Sequence, residues 1–246
     1  MNGLGIVAAL AAETRPFGRP VPTGERPAAL ANGTLLLVCG IGQAAAGHGA
    51  RRLVAAGVRA LLSWGMAGGL DPALAAGTLL LPREVASPEG ELLPTAADWH
   101  QRLSDALAAS HPVCCGTLLT CREAIGSAAD KASAFRQTAA AAVDMESFAV
   151  AQVAASHRLP FLAVRAIVDT ATDDVPRTIL AAATAGAEGV PLRRLMVALA
   201  RAPEDLLPLL RLARRFRAAS RALAAAAASG ALVPPLGSAA RGNGGP

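Results

Sequence analysis

The chain has 246 residues, of which 53% are hydrophobic and 17% charged, so one compact domain with a full core is the default. Aromatic residues make up 3% and tyrosine is absent, so that core must be built from Ala, Leu and Val. The net charge of +5 is uneven: nine arginines against Glu204 and Asp205 put +7 on the stretch from Pro191 onward and leave the first 190 residues at −2.

In chain order, Gly5 to Leu10 predicts a first buried strand, a short apolar run bounded by turn residues. Glu13 follows it, and taken alone reads as a surface glutamate. The apolar start lacks a basic leader and meets Glu13 at once, so no signal peptide is expected. Arg15 to Asn32, rich in proline and glycine, is an irregular connection. Thr34 to Cys39 is a second strand running into Gly40-Ile41-Gly42. Gln43 to Ala56 is helical and stops at Gly57. Val58 to Trp64 is a third strand, ending in the turn Gly65-Met66-Ala67-Gly68-Gly69.

Thr78 to Leu81 and Gly116 to Thr120 are further strands, separated by a helix around Ala96 to Ala109. Glu146 opens an apolar helix, and Pro160 to Asp169 is a buried strand ending on its carboxylate. Alternating elements of these lengths predict a doubly wound or three-layer α/β domain. Leu192 to Ala227 reads as helical, broken near Pro203, and a disordered tail is expected from about Ser229. No apolar run reaches membrane length without Gly or Pro, so no spanning helix is expected.

The strand ends carry the functional signal. In a parallel sheet, Glu146 and Asp169 would face one crevice, where open α/β folds put their ligands. Two converging carboxylates suit acid–base work or the holding of a polyhydroxyl substrate. Asp144 reads as structural or solvent-facing. Gly65 to Leu70 is a glycine cluster whose backbone amides could meet a ligand.

Gly40-Ile41-Gly42-Gln43-Ala44-Ala45 matches a dinucleotide fingerprint, but no acid lies between Glu25 and Asp71 to hold a ribose, so an NAD-binding oxidoreductase is disfavoured. His48, His100, His111 and His157 have no partner at ligand spacing and read as surface or cap residues, so no metal is expected. Cys39, Cys114, Cys115 and Cys121 form no CxxC pair, which fits a reducing cytoplasm. The basic C-terminal stretch lacks stacking aromatics, so no nucleic-acid partner is expected and an anionic membrane surface is the alternative.

Jointly these motifs resemble the purine nucleoside phosphorylase and nucleosidase superfamily, in its methylthioadenosine/S-adenosylhomocysteine nucleosidase branch. The matching pieces, in order, are Gly5 to Glu13, Gly40-Ile41-Gly42, Gly65 to Leu70, Val143-Asp144-Met145-Glu146-Ser147 and Arg165-Ala166-Ile167-Val168-Asp169. The Gly68 to Pro72 turn and the Arg-rich C-terminus further resemble the hopanoid-biosynthesis-associated members, which are implied to release adenine from adenosylhopane.

The resemblance implies a three-layer fold, a central mixed sheet flanked by helices. Residues 1–190 would form the catalytic domain, with 191–228 a helical extension packed on it and 229–246 the tail. It implies Asp169 at N7 of the base, Glu13 orienting a water, and Glu146 on the ribose hydroxyls with Met145 on the sugar face. Ala67 and Gly68 would line the sugar side, and the backbone near Ile125 would read the adenine edge. No cofactor is implied. The expected partners are a nucleoside, with a lipid tail in the hopanoid case, and a second copy of the chain in a homodimer. Peripheral contact with the inner membrane surface would run through the C-terminal helix. Two departures stand out: Val168 replaces the serine usual before the base-binding aspartate, and stacking aromatics are scarce. A methylthioadenosine nucleosidase, a phosphate-dependent phosphorylase and a non-catalytic nucleoside-binding module remain the rival readings.

Overall fold

The computed structural model describes residues 3–18, 20–175 and 206–234, except the side chains of 206–210 and 212. Eleven strands form one mixed sheet: β1 Leu4–Ala8, β2 Ala28–Ala29, β3 Leu35–Val38, β4 Ala60–Gly69, β5 Leu79–Leu80, β6 Glu84–Ala86, β7 Leu92–Pro94, β8 Val113–Cys114, β9 Leu118–Thr120, β10 Ala142–Asp144 and β11 Phe161–Asp169. The helices described are α1 Gln43–Ala55, α2 Ala97–Ala108, α3 Ala128–Thr138, α4 Ser147–Ser156 and α5 Leu206–Ala228, with a 3₁₀ helix over Ala11–Phe17.

Alternation along the central strands sorts the core into layers, because successive strand residues point to opposite faces. Val7, Leu37, Leu61 and Ala163 pack with Ala46, Ala50 and Leu53 of α1 and Val150 and Val153 of α4. Their neighbours Ile6, Leu36, Leu62 and Val164 pack with Leu103 and Leu107 of α2 and Ala219, Ala222 and Leu223 of α5. Helices cover both faces, so the central strands are largely apolar, as expected for a sheet buried on both sides, with Ser63 of β4 and Arg165 and Asp169 of β11 as the polar exceptions. The fold is the three-layer α/β arrangement read from the sequence.

One topological event creates the site. β4 pairs in parallel with β1 only as far as Ala8 opposite Trp64. On its other edge it pairs with β11 through Gly68 opposite Asp169, with a register shift after Ile167. Gly68 and Gly69 then pair antiparallel with Val143 and Ala142 of β10. Since β11 holds one edge, β10 takes the edge that β1 has vacated. Between them, Gly65 to Ala67 have no strand neighbour on that edge, and a crevice opens there.

The structure corrects four local expectations. Gly65 to Gly69 is not a turn but the second half of the ten-residue strand β4. The Arg15 to Asn32 connection is entered by the 3₁₀ helix and contains the short strand β2. His100 is not a surface residue: it is 2% exposed, and its Nε2 lies 2.8 Å from the Leu81 carbonyl oxygen. At the C-terminal end, Ala231 and Leu232 are buried in the core, so the packed chain runs past Ser229. Leu192 to Glu204 and residues 235–246 lie outside the described residues. No helix among the described residues is long and apolar enough to cross a membrane.

Candidate active site

The crevice between the ends of β1 and β10 holds a cavity of about 290 Å³. Its lining includes Glu13, Met66, Ala67, Gly68, Ile125, Met145, Glu146 and Asp169. All seven residues singled out in the sequence therefore border one space, although they come from five separate stretches of chain.

Glu13 is delivered by the 3₁₀ helix and is 5% exposed, so its reading as a surface glutamate does not hold. Its position is fixed from three directions. Trp64 Nε1–H donates to its backbone carbonyl at 2.9 Å. The N–H of Leu10 donates to Oε2 at 3.0 Å and the N–H of Met66 to Oε1 at 2.9 Å. Met66 lies on the edge of β4 that β1 vacates, so the carboxylate replaces a missing ladder acceptor. Gly65 makes this approach possible, because a Cβ there would sit 2.5 Å from Oε1. Burial pushes the Glu13 carboxyl up, partly offset by the charge of Arg165 and by these amide donors.

Glu146 immediately precedes α4, which begins at Ser147. The Gly42 N–H donates to its Oε1 at 2.8 Å, tying the Gly40-Ile41-Gly42 turn to this carboxylate. Burial and then the neighbouring Asp144 push its pKa up to about 7, against the pull of Arg165.

Asp144 is structural and buried. Its carboxylate accepts from Ser147 N–H at 3.1 Å, capping α4, and from Thr120 Oγ1–H at 2.6 Å. Arg165 of β11 completes the pair, with Nε and Nη2 at 2.9 and 2.8 Å from Oδ2 of Asp144. Nη2 also donates to Ser63 Oγ at 2.8 Å, and Nη1 to the Val164 carbonyl at 3.3 Å. One guanidinium thus pairs with Asp144 while its charge acts on Glu13 and Glu146, and four of its five N–H donors are engaged.

Asp169 ends β11 beside Gly68, where a Cβ would lie 3.1 Å from Oδ2. Its Oδ2 accepts from the ammonium of Lys131 on α3, a buried ion pair. Burial raises the Asp169 carboxyl, and Lys131 opposes that rise.

Sequence reasoning missed Lys131 and the part played by Arg165. Lys131 had one signal, being the sole lysine among 23 basic residues. Phe216 of α5 also borders the cavity, beside the apolar Leu10, Ile41, Val168 and Val175. Arg51 and Arg52 open onto other surfaces; Arg52 pairs with Glu25 at 2.8 Å. Among the described residues the cavity lining carries no arginine, lysine or histidine.

The chain matches the family model described as the phosphorylase superfamily over residues 4–201. No curated protein matches it. Among solved structures, the futalosine hydrolase of Helicobacter pylori strain 26695 aligns with a TM-score of 0.68 at 18% identity, over 93% of this chain and 96% of that one. The 5′-methylthioadenosine/S-adenosylhomocysteine nucleosidase from Neisseria meningitidis, in complex with methylthio-immucillin-A, aligns at 0.68 and 17% identity, over 93% and 98%. That from Helicobacter pylori, with butyl-thio-DADMe-Immucillin-A, aligns at 0.62 and 21%, over 70% and 87%. At these identities the likeness is one of fold. The family model covers most of the sequence, including every motif at the crevice, and the chain belongs to the phosphorylase superfamily.

Proposed function

We propose that the protein is a nucleosidase that hydrolyses the N-glycosidic bond of a 5′-modified adenosine and releases adenine. The observation that carries this reading is the convergence of Glu13, Glu146 and Asp169 on one apolar cavity. Glu146 binds the ribose hydroxyls, and Met145 covers the sugar face. Glu13, with its carboxyl raised by burial, takes a proton from the attacking water. The water oxygen bonds to C1′, the C1′–N9 bond breaks, and its electron pair enters the purine. Asp169 enters protonated and gives that proton to N7 as the bond breaks, so the base leaves neutral while Glu13 keeps the proton of the water. Ala67 and Gly68 border the sugar, and the backbone near Ile125 meets the adenine edge.

Water is favoured over phosphate as the nucleophile by charge. A phosphate of about two negative charges needs a cationic fork. Arg165 is engaged by Asp144 and Ser63, and Glu13, Asp144 and Glu146 would repel the dianion. An apolar 5′ substituent is favoured by Leu10, Ile41, Val175 and Phe216 in the lining. Adenosylhopane is the substrate we assign, with methylthioadenosine the alternative. The exposed arginines of α5 would hold the protein near the anionic surface where such a lipid resides.

The test is product analysis by mass spectrometry on both nucleosides, with and without phosphate. Adenine with a free sugar hemiacetal is expected, at a rate independent of phosphate. Phosphate-dependent release of a ribose 1-phosphate would overturn the hydrolytic assignment, and no adenine from either nucleoside would overturn the reading as a whole.

A further inference from the structure

Lys131 is the chain's one lysine, and it is fully buried, at 0% exposure. It stands on the first turn of α3, 38 residues before Asp169. Its Nζ donates to Oδ2 of Asp169 and to the carbonyls of Thr170 and Asp173, both at 3.0 Å. An ammonium has three donors and no acceptor, so its bonding capacity is fully used. Three acceptors gathered around one nitrogen fit a tetrahedral ammonium rather than a planar guanidinium. That geometry accounts for a lysine here, in a chain that uses arginine at every other basic position.

Lys131 does not border the cavity, whereas Asp169 does. The second carboxylate oxygen, Oδ1, accepts no hydrogen bond from the described residues and is the one left for a ligand. The turn after β11 is braced by the same contacts. Asp173 accepts from Thr170 N–H at 2.8 Å and pairs with Arg215 of α5. The charges that face Asp169 are therefore Lys131 of α3, Asp173 of its own turn and Arg215 of α5.

We propose that Lys131 is a positioning residue for base recognition: by occupying Oδ2 it fixes the Asp169 carboxylate and leaves Oδ1 to meet the purine. This inference rests on the proposed role of Asp169. The ammonium also opposes the effect of burial on that carboxyl, so its removal raises the proton affinity of Asp169.

The test is a double-mutant cycle on adenine release from methylthioadenosine, using wild type, Lys131→Met, Asp169→Asn and the double variant, with Lys131→Arg alongside. Lys131→Met should lower kcat by about tenfold or more, with KM within about threefold. In the Asp169→Asn background the same change should cost less than about threefold, because the pair acts as one unit. The double variant is also a neutral pair, which protects folding. The pH limb assigned to Asp169 should move upward in Lys131→Met and stay in place in Lys131→Arg. Multiplicative losses in the double variant, wild-type kcat in Lys131→Met, or a limb as displaced in Lys131→Arg as in Lys131→Met would each overturn the inference. Wild-type turnover in Asp169→Asn would instead remove the role of Asp169, and this inference with it. A loss of about 10²-fold in that variant upholds the role and isolates Lys131.

Discussion

Glu146 is where binding and stability pull against each other. A carboxylate on two ribose hydroxyls makes a charge-assisted contact worth roughly 1.5–3 kcal/mol. Glu146→Gln should therefore lower kcat/KM for ribosides by about tenfold or more, and for 2′-deoxyribosides less; equal losses would show that it does not touch the hydroxyls. Its pKa of about 7 in the fold lies above the ordinary value of 4.5, so the folded state holds the proton more tightly than the unfolded chain. The contribution of this carboxyl to wild-type stability is then lost as pH rises from about 4.5 through about 7, on the order of 3 kcal/mol. Glu146→Gln lacks that loss, and should melt several degrees above wild type at pH 8 and close to it at pH 4.5. A pH-independent gap in melting temperature would refute the sign. At this scale Glu146 and Asp169 were legible, since each stands in a motif at the end of an element, whereas Glu13 taken alone read as a surface residue. Lys131 was not legible, because α3 carries no motif and its partner lies on another element.

At the scale of elements, strand existence was readable and strand ends were not. Gly65 to Gly69 looks like a turn because glycines break strands, yet two of them are close-approach positions for Glu13 and Asp169 inside a continuous strand. The C-terminal helix shows a similar limit. Along its sequence Leu207, Leu210 and Phe216 alternate with arginines, a pattern compatible with one apolar and one basic face. Ala219, Ala222, Leu223 and Ala226 of α5 are the residues buried on the sheet, and Phe216 borders the cavity; Leu207 and Leu210 lie outside the described side chains. Arg211, Arg214, Arg217 and Arg221 remain exposed at helical spacing, while Arg215 turns to Asp173. The described apolar face is consumed by the fold, so any membrane contact rests on charge alone, at roughly 1 kcal/mol per arginine. The proposed contact predicts flotation with anionic vesicles at low salt, loss at high salt, and loss on changing the four exposed arginines to glutamine with the fold intact. Absence of binding at low salt would leave α5 as a cover for the sheet and nothing more.

For the molecule as a whole, the crevice is a charge problem solved by Arg165. Glu13, Asp144 and Glu146 come from three separate elements, and the sequence gives no hint that one buried guanidinium serves all of them, because that depends on β10 replacing β1 at the edge of β4. Arg165 pairs directly with Asp144, and its charge lowers the proton affinity of both glutamates. Removing one partner of a buried pair costs about 3–5 kcal/mol, because the other charge is left uncompensated. Arg165→Met should therefore destabilise strongly, and the loss should depend on pH. Without the guanidinium Glu13 and Glu146 bind protons more tightly still in the fold than in the unfolded chain, so stability falls further as pH rises. Denaturant unfolding should show a larger deficit at pH 8 than at pH 5. Adding Asp144→Asn should recover much of the stability, since the orphaned charge is gone, but not adenine release, since Glu13 and Glu146 would still lack their counter-charge. An equal deficit at both pH values would mean that Arg165 contributes packing rather than charge.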